Sequence, residues 1–341
     1  MGYYRFLLAI CVLESHTALF AWGFDEGQAA VIGFFLVSGY VMTLLIDKYY
    51  LSFRSLPWFV IDRVSRIFPQ FLLYATLTVI LISTVHLNES WESACTPGII
   101  ARNYAILPLY FSGNIPYYKC TLLPQSWTLS VELFFYMIVP FIVIFWNRYI
   151  ALVVAAYSLW VYGHAYLGLI PTDWNGFRHL PGTLYIFIAG MSFAKAGRVW
   201  QIYRWSVWIG AIILMAILLR DPVLYAYGSN KEILLGLIVG IPGLALARMV
   251  PPHWLEQLAG NLSYGIFLNH FLLMMTMHVF HINTGLTKWR ILTVFIAAGF
   301  ALVSFYSVEN PILIWRRSFR GRRVRQGGMQ DPELASETVA P

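Results

Sequence analysis

Apolar runs of roughly twenty residues recur along nearly the whole chain, separated by short stretches where charged and turn-forming residues gather. A helix rises about 1.5 Å per residue, so a run of ~20 apolar residues matches the roughly 30 Å hydrocarbon core of a bilayer. Such runs lie near 3–22, 28–47, 67–86, 128–146, 149–169, 180–197, 203–220, 231–249, 260–282 and 289–310. The pattern predicts an all-α, polytopic membrane protein of about ten transmembrane helices, because open strands would leave edge amides unsatisfied in lipid. The alternating ten-residue segments of a barrel are absent. A membrane domain over 1–312 is expected, then a tail at 313–341 that is basic first and disordered after.

Composition agrees, with 59% hydrophobic and only 11% charged residues against the quarter or so usual in soluble domains. Aromatics at 17% suit two interfacial belts, and Trp91, Tyr104, Tyr110, Tyr117 and Tyr118 in one long loop suit either such a belt or stacking on sugars. With both termini in the cytoplasm, fifteen Lys and Arg fall on inner loops and seven on outer ones, Arg5 standing at the boundary. The net charge of +7 is therefore mostly a topology signal. Its densest cluster, Arg316 to Arg325, directly follows a span, which favours anionic lipid over nucleic acid as its partner. Arg5 precedes the first apolar run as in a signal peptide, but no small-residue cleavage site follows, so the first helix is expected to stay.

Chemistry must then come from polar residues inside spans, each of which costs several kcal/mol unless paired or hydrated. Phosphate loops, nucleophile elbows and Cys/His clusters with metal spacing are absent from the sequence. His278 and His281 alone make a poor metal site, so no metal is expected. Cys95 and Cys120 share the outer loop 87–127 and are able to pair if that side is oxidising.

Arg5 and His16 are eleven residues apart, a rise of about 16 Å and three turns plus ~20°, which puts both on one helix face. A neutral imidazole there fits a general base and equally a packed core histidine. Arg63 and Arg66, three apart at the cytoplasmic mouth of the third span, fit either phosphate groups or a positive-inside anchor. Glu132 lies about one turn inside the outer end of its span with Tyr136 four residues on, and His16 at similar depth is its expected partner. The alternative for Glu132 is a carboxylate at a helix start. Tyr264 and His270 are weaker candidates, His270 lying mid-span and fitting either the cavity wall or a packed core histidine. Glu14 has no readable partner, Asp25 fits an outer-loop residue near the membrane surface, and Glu309, ahead of Pro311, fits a loop anchor.

Taken in order, these residues are similar to the motifs of the acyltransferase-3 family, multipass membrane acyltransferases that include bacterial O-antigen and exopolysaccharide acetylases. Arg5-(ten residues)-His16 resembles the first-helix motif, and Gly33-Phe34-Phe35-Leu36-Val37-Ser38-Gly39-Tyr40 the Phe-Phe-x-x-Ser-Gly segment. Arg63-x-x-Arg66-Ile67-x-Pro69 resembles the inner-loop Arg-x-x-Arg, and Ser126-Trp127-Thr128-Leu129-Ser130-Val131-Glu132 the Trp-Ser-Leu-Ser-Val-Glu segment, with Thr128 for the usual Ser. Ser263 to His270 and Val308-Glu309-Asn310-Pro311 resemble the closing motifs.

The resemblance implies an acyl-CoA donor on the cytoplasmic side, usually acetyl-CoA, and a carbohydrate or lipid-linked glycan acceptor, in a bacterial inner membrane. It implies His16 as base, Glu132 as support, and Arg63, Arg66 and Arg5 toward the donor. Tyr136, Tyr264 and His270 would border the substrate cavity. Many relatives carry a further soluble esterase-like domain, and none is expected here, since about thirty residues follow the last span. Direct transfer and an acyl-histidine route both remain open. The rival class is a transporter or flippase, for which ten spans with buried charges would also serve, although no internal repeat or matching pair of broken helices is present.

Overall fold

The computed structural model describes residues 1–17, 23–85, 95–114, 120–145, 148–282 and 287–326. Its principal helices are α1 (Gly2–Thr17), α2 (Glu26–Tyr49), α3 (Leu56–Thr84), α4 (Pro97–Ala105), α5 (Trp127–Ile144) and α6 (Arg148–Tyr166). They continue as α7 (Leu180–Met191), α8 (Arg198–Leu218), α9 (Asn230–Ala247), α10 (Trp254–Val279), α11 (Thr287–Ser304) and α12 (Asn310–Gln326). No strand occurs among the described residues. Trp91, Tyr117 and Tyr118 lie outside them.

Seven helices among the described residues are long and apolar enough to cross a membrane, against the ten expected. The difference has a physical basis. α1 has 16 described residues and α7 only 12, while the 19 residues of α6 are diluted by Tyr, Trp and His. Helix α7 is buried along all but one of its residues, so protein rather than lipid sets its length. The outer helices show the converse: Ile213 on α8, Phe295 and Val303 on α11 and Val153 on α6 are exposed apolar residues facing outward from the bundle.

Helix α2 is the hub, packing on α1, α5, α7 and α9. Glycine makes its closest approach possible. A Cβ on Gly39 would collide with the Phe187 carbonyl of α7, and one on Gly190 with the Leu36 carbonyl of α2. Small residues at both crossing points let the two backbones meet, as in other membrane bundles.

The segment 120–126 does not stay at the membrane surface. Cys95 and Cys120 form a disulfide, and Asn103 of α4 bonds both the Cys120 carbonyl and the Leu122 amide at 3.0 Å. Gln125 then donates to the Phe267 and Leu268 carbonyls of α10, at 3.1 and 2.8 Å. These carbonyls lie about 20 Å along α10 from its start. Helix α5 therefore begins deep in the bundle. Non-helical backbone at this depth is tolerated because protein surrounds it.

Candidate active site

Two adjoining cavities occupy the centre of the bundle and share Val31, Thr128 and Phe267 as their common wall. Helix α1 runs past both. Arg5 at one end lines the first, of about 150 Å³, and His16 eleven residues on lines the second, of about 270 Å³. The shared-face geometry expected of this pair is what places one residue in each chamber.

The arginine chamber gathers Arg5, Arg63, Arg66, Glu132, Tyr136 and Tyr264. Arg5 donates to the Gly260 carbonyl at 3.2 Å. Arg66 pairs with Glu309 and lies 4.9 Å over the Tyr264 ring, whose hydroxyl donates to the Ile67 carbonyl at 2.7 Å. Glu309 reaches this point from a π-helical turn, Phe305–Glu309. Pro311 has no amide proton to give Ser307, so the α-register is interrupted just before it.

Arg63 donates through Nε to Asp62 at 3.0 Å. It is not an exposed anchor at the mouth of the span, because α3 starts at Leu56 and carries both arginines inside the bundle. Asp62 also accepts from Arg316 of α12 at 3.0 Å. Four guanidinium groups thus meet three carboxylates, those of Asp62, Glu132 and Glu309. The formal balance is one positive charge in a site walled by Phe34, Phe35 and Phe267, which suits an anionic ligand with an apolar arm.

Glu132 corrects an expectation. It accepts from Ser38 at 2.7 Å and from Tyr136 at 2.5 Å, and it lines the arginine chamber, with no hydrogen bond to His16. The predicted depth assumed that α5 starts at the membrane surface. Since Gln125 anchors that start in the middle of α10, Glu132 falls on the arginine side of the common wall. His16 meets other aromatic rings instead: His270 at 5.4 Å and nearly parallel, and Phe271 at 4.7 Å. His270 itself is fully buried and lines neither chamber, so it backs the His16 ring rather than the cavity.

The second chamber, on the disulfide side, is differently made. Its wall includes His16, Asp25, Gln28, Gln125, Trp127 and Arg178. Asp25 caps α2, accepting from the Gln28 amide at 3.0 Å and from its side chain at 3.1 Å. The chain continues through Ser229 Oγ, 2.8 Å from Gln28 Oε1 and 3.1 Å from Asp173 Oδ1, with one proton for the two. Ser229 adopts φ +67°, a conformation unusual outside glycine that these contacts hold in place. Asp173 in turn accepts from Arg178 at 3.0 Å, and the Arg178 guanidinium sits 4.7 Å over Trp127 and 5.2 Å over Trp174. Sequence reasoning did not single out Asp62, Arg316, Ser38, Asp173 or Arg178 as site residues. Ser38 stood within a quoted motif. Asp62 directly precedes Arg63, but its other partner, Arg316, is 254 residues away, and Asp173 and Arg178 lie on a π-helical turn that no hydrophobic period reveals.

Of the weaker candidates, Glu14 pairs with Arg290 at 2.5 Å. Arg316, first grouped with the lipid-facing tail, is buried against Asp62. The side chains of Arg320, Arg322, Arg323 and Arg325 lie outside the described residues.

A family model described as an acyltransferase domain, that of the acyltransferase-3 family, matches residues 3–309. The chain belongs to this family of multi-pass membrane proteins. Among curated relatives it is 27% identical to the peptidoglycan O-acetyltransferase OatA of Listeria monocytogenes over 90% of this chain and 54% of that one, so it spans about half of the Listeria protein. It is 27% identical to nodulation protein 10 of Rhizobium leguminosarum bv. viciae, over 89% of this chain and 87% of that one. An uncharacterized protein of Aquifex aeolicus is 29% identical over 56% of this chain and 87% of its own length. No solved structure matches the chain significantly.

Proposed function

We propose that the protein is an O-acyltransferase of a bacterial inner membrane that moves an acyl group, most simply acetyl, from acyl-CoA to a hydroxyl of a cell-envelope or exported carbohydrate. The observation that carries this is the division of the centre into two adjoining chambers of opposite character. The donor's phosphates would be held on the cytoplasmic side by Arg5, Arg63 and Arg66, with the pantetheine arm running between Phe34, Phe35 and Phe267 toward the common wall. The acceptor would enter from the disulfide side, where indole and phenyl faces alternate with amide and carboxylate hydrogen-bonding groups, a surface suited to sugars. A disulfide on that side agrees with an oxidising compartment, as does the excess of basic residues at the other end.

In the simplest route His16 takes the proton of the acceptor hydroxyl as its oxygen attacks the thioester carbonyl. The carbon–sulfur bond breaks, the ester forms, and CoA leaves as thiolate to be protonated. The His270 ring packed parallel to His16 limits the imidazole's rotation and so keeps it aimed. Glu132, fixed by Ser38 and Tyr136, supports the donor side rather than the base.

The test is thiol release from acetyl-CoA by purified protein given a pooled cell-envelope glycan extract. Wild type is expected to release CoA, and His16→Ala to cut turnover by about 10³-fold while leaving CoA binding intact, in keeping with the loss of a general base. Undiminished turnover in His16→Ala would remove the base from the scheme. A wild type that carries glycan across vesicles without releasing CoA would make it a transporter.

A further inference from the structure

We propose that the C-terminal helix α12 is part of the donor site, with Arg316 acting through Asp62 as a positioning residue for Arg63. This rests on the reading of the arginine chamber as the place that holds the phosphates of a coenzyme A thioester. By sequence the last apolar run ends near residue 310 and Arg316 belongs to a basic tail. Yet its side chain is 4% exposed and its Nε donates to Asp62 Oδ1 at 3.0 Å. Arg317, the next residue, is exposed.

Asp62 is wholly buried and stands between two guanidinium groups, giving Oδ2 to Arg63 and Oδ1 to Arg316. The arrangement has an electrostatic consequence. A buried Arg63–Asp62 pair alone would be neutral, and any incoming phosphate would have to compete with the adjacent carboxylate for Arg63. With Arg316 sharing that carboxylate, the triad keeps one net positive charge, and Asp62 holds Arg63 less completely. Arg63 lines the chamber; Arg316 is not among the lining residues and so touches the donor only through this relay. Together with Glu309, which holds Arg66, the segment after α11 reaches both arginines of the Arg-x-x-Arg pair, Arg66 directly and Arg63 through Asp62.

The experiment is calorimetric titration of the full-length protein in detergent with CoA, which needs no acceptor. Arg316→Met is expected to weaken CoA binding about tenfold, as loss of one charge-assisted contact to a phosphate-holding group would. Arg317→Met removes the same charge one residue on, at an exposed position, and is expected to stay within about twofold. Arg316→Lys retains the charge and is expected to recover most of the affinity. The decisive comparison is a double-mutant cycle: in an Arg63→Met background, Arg316→Met should add less than about twofold, because the relay has lost its end. A merely structural role would add its full effect in either background, and that result overturns the proposal, as does an Arg316→Met protein that binds CoA like wild type. Should Arg316→Met fail to fold, Arg316→Gln is read in the same way. A folded wild type that does not bind CoA overturns the donor reading itself, a result distinct from any behaviour of Arg316.

Discussion

The two chambers share a wall but not a design. The arginine chamber carries three guanidinium groups and a carboxylate on its wall, and two of those guanidinium groups are answered by buried carboxylates behind it: Arg66 by Glu309, and Arg63 by Asp62, which also holds Arg316. In the disulfide-side chamber the polar groups form a hydrogen-bonded rim, Asp25–Gln28–Ser229–Asp173–Arg178, set against Trp127 and Trp174. Buried charge is retained against a desolvation cost of several kcal/mol, which structure alone does not require. A site that binds a multiply charged ligand does require it. Neutral hydroxyls need only donors, acceptors and flat apolar faces. Under the proposed function the charged donor takes one chamber and the sugar the other, and that assignment can be broken by perturbing each alone.

The largest donor-side effect is expected from Arg66→Met. It removes a guanidinium that faces the chamber and leaves the buried carboxylate of Glu309 without its partner. The KM for acetyl-CoA should rise about 100-fold, combining a lost charge-assisted contact with a newly repulsive charge. Pairing it with Glu309→Gln should recover part of that loss, since the stranded carboxylate is gone. If the acceptor KM moved and the donor KM did not, the assignment of the chambers would be reversed.

The disulfide offers the opposite probe. Cys120 adjoins Thr121 of the second chamber's wall and is fixed by Asn103. Replacing Cys95 and Cys120 by Ser should lower thermal stability, since closing a loop of 25 residues contributes a few kcal/mol, and raise the acceptor KM about tenfold. CoA affinity should stay within about twofold of wild type, because none of that loop's described residues lines the arginine chamber. An equal loss on both sides would mean that the chambers are mechanically one.

How much of this was legible in the sequence follows from the range of each interaction. Helix positions come from local apolar runs, and the Arg5–His16 relation from helix periodicity; both need only residues near one another in the chain. The Cys95–Cys120 pair was proposed from compartment and loop alone. What the sequence hid were interactions closed over long separations: Arg316 with Asp62 at 254 residues, Gln125 with α10 at 142 and 143. The misplacement of Glu132 has the same cause. Its depth depends on where α5 begins, and that is set by the hydrogen bonds of Gln125 to another helix, not by the hydropathy of α5. That seven described helices rather than ten are long and apolar enough to span has a related reason, since α7 is enclosed by neighbours and its length need not match the bilayer.

The smallest expected effect separates two parts of one side chain. Tyr264 offers its ring to the Arg66 guanidinium at 4.9 Å and its hydroxyl to the Ile67 carbonyl at 2.7 Å. Tyr264→Phe keeps the ring and removes the hydrogen bond. The Ile67 carbonyl lies within α3, where the helix itself supplies a donor, so little is left unsatisfied. The donor KM should rise about threefold at most. Tyr264→Leu removes the face as well, and a partly desolvated cation–π contact of about 1–2 kcal/mol predicts a further rise of about five- to thirtyfold. The gap between the two variants measures the ring's part in holding Arg66. If Phe and Leu behaved alike, the hydroxyl rather than the ring would be what matters, and Tyr264 would act on the backbone of α3 instead of on the charge above it.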